Sequence, residues 1–470
     1  MEFIFQRRVN LSKCLRKAFT GACICVYAVL MFSCGDNEDV GVQYDPAKVT
    51  VLNDFYPTEG KFKEKVILQG TNMPTDPEMV RVYFNQRRAP VIGGTTERMY
   101  VMAPRLPGAD CVISVVILGN DLSVKDSMVY NSIFNYEESI TVTTVAGNGD
   151  HQAVTEGPLS GAILQPRYIS CDTQGNVFIT NWRNDDNRDN CYLCRLNEEE
   201  DVFTRLSSNR VETNVPCCDP VTGIMSVTSE ATLGAFLTAN PDEYWAPRQR
   251  EMIFTNGRPH DSQGWKHCMV VNPADGYLYV RWYHGHIVRI NQTTYEAYII
   301  ATSEQGDSYG LTFRPSEPNI LYMSFRDNAG IYARSIVTVD VSAGKDLEET
   351  DPDAARAAVE ATMKRVSSPS TGGGHRDGPL ETAQFSTLGQ IFCDQDGFIY
   401  IADVNNHCIR RITPENQVET VLGIPERAGW QDGTRDEALF RNPRGIAIAP
   451  DGSVYVADTG NARLRKLSVN

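Results

Sequence analysis

The sequence predicts an all-β protein in which an N-terminal immunoglobulin-like β-sandwich precedes a β-propeller with six blades. Short apolar runs, many alternating with polar residues, recur between glycine-containing turns along most of the chain, a pattern typical of strands. From residue 166 onward these runs fall into copies of one unit, as expected for a propeller. A run that matches the outermost strand of a copy precedes the first copy, which indicates closure of the ring by an N-terminal outer strand.

The repeat is clearest in its last two copies. Residues 443–467, PRGIAIAPDGSVYVADTGNARLRKL, align with residues 388–412, LGQIFCDQDGFIYIADVNNHCIRRI, so that Asp458 matches Asp403. Four further copies are found, the last of them degenerate, at residues 166–196, 266–290, 309–336 and 215–245. Each copy predicts three strands and two turns, and one such sheet cannot bury both of its faces alone. The copies are therefore expected to stack around an axis.

The closing strand is predicted from residues 139–147, SITVTTVAG, which resemble the outer fourth strand at residues 416–423, NQVETVLG. No inner strands precede residues 139–147, whereas the copy at 443–467 has only three strands. Pairing of the two would complete the last blade and leave no open sheet edge.

The last two copies share an Asp-Gly pair, an Ala-x-Phe motif and an Asn after the second strand, as in Asp432-Gly433, Ala438, Phe440 and Asn461. These motifs resemble NHL repeats. The resemblance implies a propeller over residues 137–470. NHL propellers often serve as protein-interaction scaffolds, and some six-bladed NHL-like propellers are lyases or hydrolases that hold a metal by axial histidines.

Residues 45–136 predict the sandwich, because short predicted strands recur about every 8 to 12 residues and are separated by turn signals. Three segments, 55–60, 68–72 and 82–85, resemble the opening turn, a strand end and a strand of IPT/TIG immunoglobulin-like domains. The resemblance implies a spacer or a binding module.

A helical insertion is expected at about residues 345–376, where Asp351 and Pro352 begin an amphipathic stretch.

Residues 1–33 predict a lipoprotein signal peptide, because five basic residues precede an apolar run of about 16 residues. Ser33-Cys34-Gly35 resembles a bacterial lipobox, which implies lipidation of Cys34, followed by a linker to residue 44. The acidic residues 36–39 resemble a signal for the outer face of the outer membrane. The expected location is therefore the outer membrane, lipid-anchored and facing the exterior; the alternatives are its periplasmic face or a cleaved, soluble periplasmic protein.

Charge and cysteine content exclude several classes of partner and site. Removal of residues 1–33 takes away five basic residues and one acidic residue, which changes the net charge from −15 to −19. Such an acidic chain is a poor partner for nucleic acid or anionic lipid. Nine cysteines at irregular spacing follow Cys34, which does not indicate a disulfide framework.

Ligand-binding residues are sought in the loops that join the second and third strands and in those that enter the innermost strand, since both sets share one propeller face. In these loops several copies differ from the regular repeat and carry aromatic or charged residues. These candidate ligand-binding residues are Arg167, Tyr168, Trp182, Arg183, Trp265, His267, Trp282, Tyr283, His284, Tyr309, Arg326, Asp327 and Arg444. Aromatic rings stack on the apolar faces of pyranoses, and arginines bind hydroxyls or uronate carboxylates. The plainer interpretation is that these rings fill space between blades.

The preferred hypothesis is a cell-surface glycan-binding accessory lipoprotein of a polysaccharide-utilisation system, with no cofactor. Its expected partners are a polysaccharide or oligosaccharide and outer-membrane glycan-uptake proteins. One alternative is a metal-dependent polysaccharide lyase or hydrolase that holds a divalent metal by His267, His284, His286 and His407. Another is a protein-interaction scaffold at the outer membrane. The sequence does not identify the glycan or the oligomeric state.

Overall fold

The structure is all-β, with 49% of it in strands and 8% in helices. The structure is a computed structural model that describes residues 43–469 except 106, 109, 138–139, 151–153, 182–190, 208–211, 230–233, 258–263 and 370–371. Residues 44–470 form one compact unit. The predicted signal peptide, Cys34, Trp182 and Arg183 lie outside the described residues.

Two sheets pack face to face to form the N-terminal sandwich. In order across the first sheet, the strands are Val51–Tyr56, Lys65–Thr71, Arg98–Met102 and Val91–Gly94. Across the second sheet they are Glu59–Gly60, Val124–Tyr136, Asp110–Leu118, Val80–Phe84 and Arg87–Ala89. Alternate residues of both sheets point inward and form a single apolar core that includes Phe55, Val66, Phe84 and Phe134.

Six further sheets form the blades of a propeller, numbered here along the chain, and the strands of each are given from the axis outward. Blade 1 contains Pro166–Cys171, Asn176–Asn181, Leu193–Asn197 and Val202–Arg205. Blade 2 contains Thr213–Cys218, Met225–Ser229, Ala235–Ala239 and Arg248–Glu251. Blade 3 contains Lys266–Val271, Leu278–Trp282, His286–Ile290, Glu296–Thr302 and Ile253–Phe254.

The other three blades follow the same plan. Blade 4 contains Gly310–Arg314, Glu317–Ser324, Ile336–Asp340 and Lys364–Arg365. Blade 5 contains Leu388–Cys393, Ile399–Asp403, Cys408–Ile412, Gln417–Leu422 and Gly378–Pro379. Blade 6 contains Gly445–Ile448, Val454–Asp458, Arg463–Val469, Ile140–Ala146 and Gly433–Thr434.

Blade 6 closes the ring with strands from the two ends of the propeller sequence. Ile140–Ala146 pairs antiparallel with Arg463–Val469, with Ile140 opposite Val469 and Ala146 opposite Leu464. The prediction of a six-bladed propeller closed by an N-terminal outer strand is therefore confirmed. The pairing ties the first strand of the ring to the last, so neither is left as an open edge.

Among the described residues one α-helix, Pro352–Ala361, lies in sequence between the third and fourth strands of blade 4. Asp351 caps it by accepting a hydrogen bond from the Ala354 amide, and Ala355 and Val359 are buried. Glu360 accepts a 2.8 Å hydrogen bond from the Thr302 amide, so the helix packs on the outer part of blade 3. No helix among the described residues is long and apolar enough to cross a membrane.

The two faces of the propeller differ in what covers them. We call the lower face the one that carries the turns between first and second strands, and the upper face the one where the loops enter the first strands. The sandwich docks on the lower face, where Arg87 bonds to Asp394 at 2.5 Å and to Asp396 at 3.1 Å. Arg105 lies against the equivalent turn of blade 6, at Gly452. Among the described residues these contacts of the sandwich lie on the lower face of the propeller.

Candidate ligand-binding site at the propeller axis

Residues from opposite blades meet on the upper face at the propeller axis. Tyr168 belongs to the innermost strand of blade 1, and Tyr309 immediately precedes the innermost strand of blade 4. Their rings stack with centroids 5.0 Å apart and planes 20° apart. His267, from the innermost strand of blade 3, also stacks on Tyr309, with ring centroids 4.5 Å apart. All three side chains are buried, so they form a floor rather than a ligand platform.

Gln390 closes the axis beneath this floor. Its Oε1 accepts hydrogen bonds from the Ile169 amide at 3.1 Å and from the Ile446 amide at 3.3 Å. Its Nε2 donates to the Ile169 carbonyl at 2.6 Å. One buried amide thus joins blades 5, 1 and 6.

Arginines surround the floor. The guanidinium carbon of Arg167 lies 5.0 Å from the Tyr168 ring centroid and 5.2 Å from that of Tyr309. The guanidinium carbon of Arg326 lies 5.8 Å from the Tyr309 centroid. Arg444 immediately precedes the innermost strand of blade 6, and its carbonyl accepts a 2.9 Å hydrogen bond from the amide of Gln390. Burial, and to a smaller degree Arg167 and Arg326, lower the pKa of Arg444. Cationic groups therefore converge on one end of the axis.

Trp265 and Tyr283 supply aromatic surface beside the arginines. Their rings meet edge to face at 5.5 Å, and the Tyr283 amide donates to the Trp265 carbonyl at 2.8 Å. Trp265 is 38% exposed and Tyr283 is half-buried. His284, also half-buried, meets Tyr283 edge to face at 5.2 Å. We call Arg167, Trp265, Tyr283, Arg326 and Arg444, together with the floor, the upper axial cluster.

His267 is held in its neutral form. Burial is the main cause that lowers its pKa well below the usual value, and Arg281, Arg167, Arg326 and His284 lower it further. The Ser308 amide donates to Nδ1 at 3.4 Å. A neutral imidazole stacked on Tyr309 contributes packing and no positive charge to the cluster.

Asp307 is a functional candidate that the sequence analysis missed. Its carboxylate accepts a hydrogen bond from Arg326 at 3.3 Å and lies 3.8 Å from His267 Nε2. It thereby positions Arg326 beside Tyr309. The sequence could have indicated Asp307, because it stands two residues before Tyr309 in a loop that enters an innermost strand. Such loops are one of the two sets in which ligand-binding residues were sought.

Trp282 was expected to face a ligand, and this expectation is wrong. Its side chain is 0% exposed and packs in the core of blade 3, edge to face with Phe254 at 6.5 Å. Trp282 ends a strand as the neighbour of Tyr283, and successive side chains of a strand point to opposite sides. Tyr283 therefore lies at the upper face while Trp282 fills the interior.

The equivalent positions in the regular blades explain this difference. Asp403 and Asp458 are fully buried and bond to Arg410 at 3.0 Å and to Arg465 at 2.9 Å. Burial raises the pKa of each aspartate to about 6, against the opposing effect of its arginine. Phe325 occupies the same position in blade 4 and is also buried. The position at the end of the second strand is therefore a structural one throughout the ring.

Two more predicted residues lie at the edge of the cluster. Asp327 is exposed and pairs with Arg334 at 3.6 Å. His284 borders a shallow groove of about 460 Å³ whose lining includes Glu304 and Glu360. Glu360 belongs to the α-helix, so the groove lies between His284 and that helix.

The structure does not assemble the four histidines into a metal site. His286 Nδ1 lies 3.3 Å from Thr302 Oγ1, and His407 Nδ1 accepts from the Asn442 amide at 3.1 Å, in another blade. Among the residues that the structure describes, no group of three or more His, Cys, Asp or Glu side chains is placed to hold a metal ion. Seven cysteines are free thiols: Cys171, Cys194, Cys217, Cys218, Cys268, Cys393 and Cys408.

Comparisons of sequence support the repeat assignment. Residues 440–467 match the model of the NHL repeat family. Protein SUPPRESSOR OF QUENCHING 1 of Arabidopsis thaliana is 35% identical over 80 residues, which are 17% of this chain. The match spans only 8% of the length of that relative. The similarity therefore concerns the repeat and not a whole protein.

Solved structures show the same architecture over most of the chain. A structural genomics protein of unknown function from Bacteroides thetaiotaomicron is 22% identical, with a TM-score of 0.70 over 91% of this chain and 100% of that one. An auxiliary nutrient binding protein from Bacteroides ovatus is 19% identical, with a TM-score of 0.56 over 91% of this chain and 100% of that one. At these identities the likeness establishes the fold.

Proposed function

We propose that this protein is a cell-surface lipoprotein that binds a glycan on the upper face of its propeller, as an accessory component of a polysaccharide-utilisation system. The convergence of Trp265 and Tyr283 with three arginines at one end of the axis carries the proposal. Exposed aromatic faces stack on the apolar faces of pyranose rings, and guanidinium groups donate hydrogen bonds to sugar oxygens.

The arrangement of the molecule supports this role. The sandwich docks through Arg87 and Arg105 on the lower face, so the upper face is directed away from it. The lipobox-like sequence at Cys34 and the acidic residues 36–39 support an anchored position on the outer membrane facing the exterior. The fold shared with an auxiliary nutrient binding protein agrees with an accessory role beside glycan-uptake proteins.

Binding and catalysis are separated by one experiment. The mature protein is run in affinity gels against a panel of plant and host polysaccharides, and release of reducing ends or unsaturated products is measured with and without EDTA. Retardation without product is the expected result. EDTA-sensitive product would instead indicate a metal-dependent lyase or hydrolase. Absence of both retardation and product would favour a protein-interaction scaffold.

A pair of tyrosine variants locates the glycan site. Tyr283→Ala removes a partly exposed ring from the upper axial cluster and is expected to weaken glycan binding. Tyr244→Ala removes a ring that is 93% exposed on a lower-face turn of blade 2, and is expected to leave binding unchanged. Equal losses in both variants would place the ligand elsewhere.

Cell-surface exposure is tested separately. Protease treatment of intact cells should degrade the wild-type protein, and Cys34→Ala should release it from the membrane fraction. Resistance to protease in intact cells would place the anchored protein on the periplasmic side.

A further inference from the structure

Trp430 is an exposed tryptophan on the upper face, at the outer rim of blade 6. Its side chain is 52% exposed. The loop that holds it follows the fourth strand of blade 5 and enters the first strand of blade 6, so it belongs to the upper face. Among the described tryptophans, Trp245 and Trp282 are buried, whereas Trp265 and Trp430 are exposed. Both exposed indoles therefore lie on the face to which we assign glycan binding.

Two contacts hold the Trp430 ring in place. The guanidinium carbon of Arg463 lies 3.9 Å from the ring centroid, so the guanidinium group covers one face of the indole. The indole N–H donates a 3.3 Å hydrogen bond to Thr144 Oγ1. Arg463 is itself fixed, because it donates to the carbonyls of Asn148 at 2.7 Å and Asn461 at 2.9 Å. The indole therefore presents its opposite face to solvent in one orientation.

The preceding blade carries a smaller ring at the same position. Trp430 stands two residues before Asp432 in blade 6, and His375 has the same position relative to Asp377 in blade 5. Each aspartate accepts a hydrogen bond from the amide of a threonine in the fourth strand of its blade. His375 is half-buried, and its Nε2 lies 2.8 Å from Thr420 Oγ1. A ring hydrogen-bonded to this threonine thus recurs, and its exposure increases in blade 6.

Blade 1 shows that the repeat needs no exposed ring at this position. Val154, two residues before Glu156, occupies it and is 7% exposed. The cation is also particular to blade 6: Arg463 begins its third strand, whereas Cys408 begins the third strand of blade 5 and is buried. Of these three blades, blade 6 alone has an exposed indole on an arginine. Completion of the repeat therefore does not explain Trp430.

We infer that Trp430 and Arg463, which we call the rim platform, form a second binding site for the same glycan chain, in which one pyranose ring stacks on the indole face opposite Arg463. The inference rests on the proposed glycan-binding function and adds a second point of contact. An exposed indole face matches the apolar face of a pyranose. A side chain that is already fixed loses little conformational freedom when the sugar binds.

The rim platform and the upper axial cluster can be reached by one polysaccharide chain. The loop that carries Trp430 ends at Arg444, beside the first strand of blade 6. Trp430 contacts Thr144 in the fourth strand of that blade. Three strand spacings separate the fourth strand from the first, a distance of about 14 Å. A chain of several sugars can therefore contact both sites, and its second contact becomes intramolecular, which raises the affinity.

Variants of Trp430 test the rim platform in affinity gels that contain amylopectin, xyloglucan, arabinoxylan, polygalacturonate or hyaluronan. Trp430→Ala should weaken binding of the retarding polymer at least about tenfold, and Trp430→Phe, which keeps a ring, should lose less. Tyr244→Ala is the matched control, because it removes an exposed ring from the lower face, and should bind like the wild type. A folded Trp430→Ala variant with wild-type affinity would overturn the inference and leave glycan binding at the axis intact.

A double variant separates the two sites. Tyr283→Ala and Trp430→Ala should each leave residual binding, and their combination should bind more weakly than either single variant. A double variant that binds as well as Tyr283→Ala would show that Trp430 adds no contact, which would overturn the inference. Failure of every polymer in the panel to retard the wild-type protein would contradict the proposed glycan binding itself, and this inference with it.

Chain length provides a further readout. Oligosaccharides cut from the retarding polymer should bind the wild-type protein more tightly once they are longer than about 14 Å, because only such chains reach both sites. Titration calorimetry over a series of lengths measures this rise, which should disappear in Trp430→Ala. An equal rise in the wild type and in Trp430→Ala would overturn the inference, because the additional contacts would then lie elsewhere.

Discussion

The ring of Tyr168 stacks on the ring of Tyr309 at 5.0 Å, and the two residues belong to blades on opposite sides of the propeller axis. The contact spans the ring, so it stabilises the whole propeller and also forms the floor of the candidate site. Loss of either ring should therefore lower both the free energy of unfolding and the affinity for the ligand.

Tyr309→Ala should destabilise the propeller by about 3 kcal/mol, because it removes a buried aromatic ring that contacts both Tyr168 and His267. The measurement is the free energy of unfolding in urea. Tyr309→Phe, which keeps the ring, is the control and should lose less stability than Tyr309→Ala. A Tyr309→Ala variant as stable as Tyr309→Phe would contradict the importance of the stack.

Adjacent residues Trp282 and Tyr283 should respond in opposite ways. Trp282→Ala is expected to cost about 3 to 5 kcal/mol of unfolding free energy, because the side chain is fully buried in blade 3. Tyr283→Ala should cost much less stability and lose more glycan affinity. Urea unfolding and affinity electrophoresis on both variants check the contrast. Similar stability of the two variants would argue against the buried position of Trp282.

Stability should depend on pH through His267. Its folded-state pKa is lowered, chiefly by burial, so the unfolded chain takes up a proton more readily as the pH falls through 6.5. From pH 7.5 to 5.5 this group should therefore cost at most about 1.4 kcal/mol of stability. The difference in unfolding free energy between the two pH values should shrink in His267→Gln. An unchanged difference would exclude His267 as a source of the pH dependence.

Arg87 should couple the sandwich to the propeller. It is buried, bonds to Asp394, Asp396 and Tyr400, and lies 3.8 Å from the Phe398 ring centroid. Arg87→Ala leaves two partly buried carboxylates without this partner and should weaken the junction by about 3 kcal/mol. Calorimetry should then resolve separate sandwich and propeller transitions.

The exposed neighbour Arg88 provides the control for this junction. Arg88→Ala should leave the calorimetric profile unchanged, because the neighbouring side chain and not Arg88 fills the interface. A profile for Arg87→Ala that matches wild type would show that the junction depends on other contacts.

Much of the candidate site could be predicted from the sequence. Arg167, Tyr168, His267, Tyr309 and Arg444 were all expected near the start of an innermost strand, and they do meet at the axis. The repeat made this possible, because alignment of the copies shows which positions share one face before any contact is known. Asp307 was missed because its role depends on two partners from distant parts of the chain, His267 and Arg326.

The strands, the number of blades and the closing strand could be predicted before any contact was known, because alternation of apolar residues and turn signals are local properties repeated in every copy. The interior position of Trp282 and the accessible position of Tyr283 emerged from the folded molecule. The buried floor of Tyr168, His267 and Tyr309 emerged in the same way. Those outcomes depend on how neighbouring and opposite blades fill the space at the axis, and packing of that kind joins residues far apart in the chain.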